Sequence, residues 1–339
     1  MKYCILSILL LSFTSSLWAG SFVLKHKKKN ECVWINGERS VRLQLCSPDM
    51  VRFTKSRSLS FEEDEPWMVV NYQWGKVSYS LTENESDYRI KTDSLEVYLS
   101  KSDASVRIHY NQGHSLWQEL SGMHYDGDSV YNNCRLLPDE HFFGFGERMD
   151  FFDQRGKKIY LNVERGNGPK PAVGNKDVLR ANYCPVPFFM SSAGYGIFFH
   201  TAYPTTWDMG ESTSNAYSFS AENGELDYYF LYGDFYHLID CYTSLTGKSP
   251  LMPKKAYGLH LGTYSGGTWK HEDQTSDRYP VQLAEKMRSL GIPFDLMWLD
   301  STWRKFKSGG NGASTFEWRE TFDDPQKMFQ KLEDMHVMA

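Results

Sequence analysis

Apolar and polar residues follow two different patterns along this chain. From Val33 to Phe235 they alternate in short runs broken by turn residues. Val41-Arg-Leu-Gln-Leu45, Leu95-Glu-Val-Tyr-Leu99 and Val106-Arg-Ile-His-Tyr110 have the period of two expected of half-buried strands. The polar Ser100–Ser105 linker makes the last two a hairpin. Pro185–Met190, Tyr195–Phe199 and Leu226–Leu231 are further strands, and 166–175, with Pro169 and Pro171, reads as a surface loop. Many short strands without long helical segments predict an all-β sandwich.

After Tyr236 the period changes. His237–Leu245 has helical spacing and stops at Thr246-Gly-Lys-Ser-Pro250. Tyr257–Tyr264 reads as a strand. Val281–Leu290 reads as a helix with Leu283, Met287 and Leu290 on one face, ended by Gly291 and Pro293. Phe294-Asp-Leu-Met-Trp-Leu-Asp300 is a buried parallel strand that ends in a carboxylate. A helix starting at Pro325 carries Met328, Phe329, Leu332 and Met335, and Val337–Ala339 opens a third strand. This is the grammar of a (β/α)8 (TIM) barrel, truncated after about two strands. Tyr257–Ala339 supplies roughly a third of the ~250 residues such a barrel takes. The expectation is an N-terminal portion of a longer protein: residues 1–20 a signal peptide, 21–253 the sandwich, and 254–339 the partial catalytic barrel.

Composition narrows the function. Of 339 residues, 41% are hydrophobic and 23% charged, which suits a globular protein. The net charge of −5, without a long basic run, argues against nucleic acid as a partner. The apolar stretch Ile5–Leu11 is far short of the ~20 residues of a membrane span. Followed by Leu17-Trp-Ala-Gly20, it reads as a cleavable export signal, placing the protein in the periplasm or outside the cell. Cysteines fall at 4, 32, 46, 134, 184 and 241, with no Cys-x-x-Cys and no zinc spacing. A Cys32–Cys46 bridge across a hairpin is one reading, and buried free thiols are the reading adopted.

Most motifs exclude chemistry. Phe142-Phe-Gly-Phe-Gly-Glu-Arg148 lacks the third glycine of a dinucleotide loop because Met149 stands there; its glycines point to a tight, close-packed turn, with Glu147 and Arg148 able to pair beneath it. Thr246–Ser249 mimics the tail of a phosphate loop, but Tyr242 stands where its first glycine belongs. His271-Glu-Asp273 has no second histidine at metal spacing. Asp208 reads as structural, and Asp323 and Asp324 as helix caps before Pro325. Asp295 and Asp300 are about 16 Å apart along one strand and on opposite faces, too far to be the paired carboxylates of a glycosidase. Asp300 sits where a barrel strand delivers its residue to the active-site mouth. With Trp303 and Trp318 following, it is either a helix-capping acid or the acceptor of a sugar site.

Taken in order, these segments resemble glycoside hydrolase family 31, the α-glucosidase and α-xylosidase family. The resemblance is carried by Val41–Met50, Phe142–Arg148 with Gln154-Arg-Gly156, Pro185–Met190, Tyr195–Phe198, Leu226–Tyr232 with Leu245-Thr-Gly247, and Gly291–Asp300 with Trp318 and Asp324-Pro325. It implies retaining hydrolysis of an α-glycosidic bond by two aspartates that follow later barrel strands, so no catalytic residue falls in this chain and both are expected beyond Ala339. It implies an oligosaccharide or α-glycoside as partner and no metal or organic cofactor. It makes Asp300 the acid that hydrogen-bonds the non-reducing-end sugar, and Trp303, Trp318, Tyr264 and Trp269 the pocket walls. Arg319 stands where the family often has Asp. The alternatives on the same residues are a non-catalytic carbohydrate-binding protein and an α-transglycosylase.

Overall fold

Alternation along the strands decides which side chains enter the core. In strand Arg39–Ser47, Val41, Leu43 and Leu45 are buried to 1% exposure or less, while Arg42 and Gln44 on the other face stay partly exposed. The computed structural model describes residues 20–65, 67–110, 113–147, 151–162, 184–263, 275–299, 303–306 and 313–339. They form two compact units that divide between Lys248 and Ser249.

The first unit is an N-terminal β-sandwich. One layer is an eight-stranded antiparallel sheet. Its order is Val23–Lys28, Glu31–Asn36, Arg39–Ser47, Met50–Ser56, Leu226–Tyr232, Tyr195–Phe199, Cys184–Ser191 and Phe142–Glu147. The opposing layer has two five-stranded sheets. One is a meander from Ser80–Glu83 to His114–Gln118, which holds the predicted hairpin with Leu95 opposite Tyr110 and Leu99 opposite Val106. The other runs His124–Asp126, Ser129–Arg135, Ala216–Ala221, Thr205–Asp208, Lys158–Leu161. A bridge between Glu119 and Cys134 joins the two into one layer. Trp34, Leu43, Phe53, Ile90, Val97, Ile108, Trp207 and Phe219, drawn from all three sheets, share one buried cluster.

Helix α1 (Phe235–Thr246) covers the other face of the large sheet. Asp234 caps it by accepting from the His237 amide, and Leu238, Cys241 and Leu245 pack on Met50, Phe198, Tyr229 and Leu231. Gly247 (φ 91°) is its C-cap, which is what the phosphate-loop mimic at Thr246–Ser249 amounts to. The Phe142–Glu147 segment is a bulged edge strand rather than a turn. Its register on Cys184–Ser191 slips between Gly144 and Gly146, and Phe145, fully buried, sits at φ 68°. A Cβ on Gly146 would lie 2.0 Å from the Cys184 carbonyl oxygen. The backbones touch there, so a side chain has no room. Arg148, the partner expected for Glu147, lies outside the described residues, as does 166–175. Cys32, Cys46, Cys134, Cys184 and Cys241 are all free thiols, so the Cys32–Cys46 bridge does not form.

The second unit is the opening of a TIM barrel. Its first strand, His260–Thr263, starts three residues later than the Tyr257 expected. Lys254–Tyr257 spends its backbone on a 3₁₀ turn after Pro253, and the ladder begins only where His260 meets Leu296. The second strand, Leu296–Leu299, runs parallel to it. Helix α2 (Arg278–Ser289) buries Pro280, Val281 and Ala284, with Leu283 and Met287 at the margin of the cluster. Leu290, predicted on that face, is 62% exposed because the helix ends there and Gly291 (φ 68°) turns the chain away. Helix α3 (Pro325–Asp334) buries Met328 and Leu332 against the same cluster, and Asp324 caps it through the Lys327 amide at 2.9 Å. The third strand does open at Met338. Its amide donates to the Asp295 carbonyl (2.9 Å), and its carbonyl accepts from Met297 (2.7 Å) in a parallel bridge. Among the described residues no helix is long and apolar enough to cross a membrane.

Candidate functional site

The second barrel strand sorts its side chains by face. Met297 and Leu299 pack into the helix-covered cluster. Trp298, on the opposite face, is 58% exposed and donates from Nε1 to His260 Nδ1 at 3.2 Å. The other ring nitrogen of His260, Nε2, is 3.1 Å from the Ala256 carbonyl, so the two bonds together fit a neutral imidazole protonated on Nε2. Barrel-facing Trp298 and His260 were not singled out in the sequence; strand parity carried the signal.

Beyond the strand the chain makes an antiparallel hairpin, Arg304–Phe306 with Ala313–Trp318. The sequence pattern predicts no strand here, and Glu317 is expected on a loop. The pairing sets Arg304 opposite Trp318, and the Arg319 amide donates to the Trp303 carbonyl at 2.9 Å. The hairpin therefore brings two of the expected pocket walls together: the Trp303 and Trp318 rings have centroids 4.7 Å apart at 52°. Trp303 is half-buried against the barrel cluster, and Trp318 is 37% exposed. Phe322 stacks on Trp318 at 5.2 Å, and Phe316, 87% exposed, lies 6.4 Å from Trp303. The Arg304 guanidinium is 5.9 Å from the Trp303 and Phe316 ring centres. Such a ledge offers flat apolar faces and indole donors, the means of holding a ring that is apolar on its faces and polar at its edge. Asp300, Tyr264 and Trp269 lie outside the described residues, as does His271-Glu-Asp273.

The described acids expected to be structural are engaged locally. Asp208 Oδ1 accepts from the amides of Gly210, Glu211 and Ser212. Burial raises its carboxyl, but these bonds outweigh that and hold it below the usual range. Asp323, expected with Asp324 as a helix cap, does not cap: Asp324 takes the N-cap, and the Asp323 carboxylate lies 3.8 Å from Arg278.

Two buried charge networks in the sandwich were not legible. Glu119 accepts from Lys55, Asn132, Tyr228 and the Val106 amide inside the core. Arg52 donates to Asp227 (2.7 Å) and Asp64 (2.7 Å), and His200 Nδ1 lies 2.9 Å from Asp227. A cleft of about 670 Å³ opens above Arg52, walled by Tyr72, Trp74 and Tyr229. Several of its polar groups are already engaged: Gln44 bonds Glu31 and Arg52, Lys29 bonds the Trp74 carbonyl, and Asn30 bonds that of Gly75.

Comparison with known proteins agrees with this architecture. Residues 40–208 match the glycosyl hydrolase 31 N-terminal galactose mutarotase-like domain, and residues 249–339 match the glycosyl hydrolases family 31 TIM-barrel domain. Alpha-glucosidase 2 of Bacillus thermoamyloliquefaciens is 33% identical over 66% of this chain and 28% of its own length. Alpha-xylosidase XylQ of Lactiplantibacillus pentosus is 30% identical over 59% of this chain and 24% of its own. A family 31 dextranase of Flavobacterium johnsoniae, solved with isomaltotriose, superposes with a TM-score of 0.79 at 28% identity over 95% of this chain and 38% of that one. The chain thus spans about a quarter to two fifths of the length of these relatives. On its two matched domains and its superposed fold, it belongs to glycoside hydrolase family 31.

Proposed function

We propose that the protein is an exported retaining α-glycosidase of the α-glucosidase or α-xylosidase kind, and that this chain is its N-terminal portion. The observation that carries the reading is the Trp303–Trp318 pair at 4.7 Å, set on a hairpin that follows the second parallel barrel strand. Relatives named as an α-glucosidase and an α-xylosidase, and a dextranase holding isomaltotriose, favour an α-linked substrate. In this reading Asp300 accepts hydrogen bonds from hydroxyls of the non-reducing-end sugar, and Trp303, Trp318, Tyr264 and Trp269 wall its ring. Residues 1–20 direct export. Retaining hydrolysis needs two carboxylates about 5–5.5 Å apart. Five residues of extended chain would separate Asp295 and Asp300 by about 16 Å, too far to supply them, so this reading assigns both catalytic aspartates to later barrel strands.

Two measurements test this. The purified 339-residue chain is expected to leave nitrophenyl α-glucoside and α-xyloside intact; turnover that vanishes on substituting a residue inside the chain contradicts the placement of the catalytic pair. The coding sequence past codon 339 is expected to continue in frame through two barrel aspartates. A stop codon there favours a carbohydrate-binding protein without catalysis.

A further inference from the structure

One group of ligating side chains lies in the sandwich unit, apart from the aromatic ledge. Asp49, in the turn between strands Arg39–Ser47 and Met50–Ser56, faces His237 and Cys241 of helix α1. His237 Nε2 is 2.7 Å from Asp49 Oδ2 and 3.4 Å from Cys241 Sγ, and the three ligand atoms all lie within 4.8 Å of one another. His237 and Cys241 are four residues apart, so they share one face of the helix. Asp49 comes from 188 residues earlier in the chain, which is why no spacing rule finds the set.

We propose that Asp49, His237 and Cys241 form a binding site for a divalent metal ion of the zinc class. The ligand set is one sulfur, one imidazole nitrogen and one carboxylate oxygen, a mixture that suits tetrahedral zinc. Tetrahedral bond lengths place nitrogen and sulfur about 3.6 Å apart and nitrogen and oxygen about 3.3 Å apart. The histidine–cysteine distance already fits, and the histidine–aspartate distance opens by about half an ångström once the ion replaces the proton between them. On binding, the Cys241 thiol proton leaves to solvent, the ring proton of His237 shifts from Nε2 to Nδ1 so that the neutral imidazole coordinates through Nε2, and water fills the fourth position.

The surroundings hold the ligands in place. The other Asp49 oxygen accepts from Ser47 Oγ, and the Asp49 carbonyl accepts from the Tyr232 amide at 3.0 Å. The His237 amide is tied to the Asp234 cap at 2.9 Å. The imidazole lies against Gly233, where a Cβ would stand 2.5 Å from His237 Cδ2. Side-chain exposures of 44% for His237 and 24% for Asp49 leave an entry path, while Cys241 is buried. The neighbouring Asp240 carboxylate is paired with Lys248.

Cobalt(II) is the probe, added to the reduced full-length chain. The site predicts a thiolate-to-cobalt charge-transfer band that saturates at one equivalent and is displaced by zinc. Cys241→Ser removes the band. His237→Ala and Asp49→Asn, both at solvent-reachable positions, weaken cobalt binding by about ten-fold or more. Cys184→Ser, at the exposed thiol, leaves it intact, and far-UV circular dichroism checks that each variant is folded. A chain that shows no charge-transfer band, or one whose band survives Cys241→Ser or is indifferent to both His237→Ala and Asp49→Asn, carries only a histidine–aspartate ion pair at this position, and the proposal falls.

Discussion

Trp303 and Trp318 stand fifteen positions apart in sequence, yet their ring centroids lie 4.7 Å from each other, because the hairpin from Arg304 to Trp318 folds one back on the other. Aromatic pairs at this separation contribute about 0.5–1.5 kcal/mol beyond the area they bury. A double-mutant cycle on Trp303→Ala and Trp318→Ala, read by chemical denaturation of the barrel unit, is expected to return a coupling in that range. Additive losses would mean that the two rings do not support one another.

Acid stability is expected to depend on Asp227. Burial alone raises its carboxyl, but the Arg52 guanidinium and His200 outweigh burial and hold it well below the usual range. A depressed folded-state value contributes stability that is fully present above the unfolded value of about 3.9 and is lost as pH falls below it. The sandwich should therefore weaken from about pH 4 downward. Asp227→Asn should flatten that acid slope and cost about 3–5 kcal/mol at neutral pH, because Arg52 stays buried with only Asp64 as an anionic partner. Denaturation at pH 7, 4 and 3 checks both; an unchanged acid slope in the variant counts against Asp227 as its source.

The bulge at Gly146 leaves no space for a methyl group. At φ 85°, with the Cys184 carbonyl oxygen 2.0 Å from where a Cβ would stand, Gly146→Ala meets both backbone strain and a clash. The expected loss is about 2–3 kcal/mol, or a fall in Tm of about 4–12 °C for a unit of this size. Gly37→Ala, also at positive φ (60°) but with nothing within 4 Å, separates strain from clash and should cost less. Equal losses would show that the close approach of the two backbones carries no weight.

The fold was legible in the sequence to the extent that periodicity decides it. The strands at Val41, Leu95, Val106 and Leu226, helix α1 and the parallel pair His260–Thr263 with Leu296–Leu299 all follow from which residues must be buried. Errors fell where tertiary pairing overrides a local run. Tyr257 is apolar but lies in a 3₁₀ turn, Leu290 is apolar but caps a helix in solvent, and Arg304–Phe306 pairs with Ala313–Trp318 where the sequence pattern predicts no strand. The buried charges were hidden for a related reason. Arg52 and Lys55 find their partners, Asp227 and Glu119, 175 and 64 residues away in the chain. Of the site, the tryptophan pair was foreseeable from residue type, whereas Trp298 and His260 needed the strand register.

In the proposed function the start of the barrel holds a sugar, and Asp300 binds it. In an enzyme carrying the whole barrel, Asp300→Ala removes charge-assisted hydrogen bonds to sugar hydroxyls, typically about 1.5–3 kcal/mol. At about 1.4 kcal/mol per decade, kcat/KM on an α-glucoside or α-xyloside should fall ten- to a hundred-fold, more if the bonds tighten in the transition state. Asp300→Asn, which keeps one acceptor without the charge, should lose part of that, and Tm should hardly change in either variant. Near-normal kcat/KM in Asp300→Ala, together with a Tm lowered by a few degrees, is the behaviour of a helix-capping acid and would contradict the account.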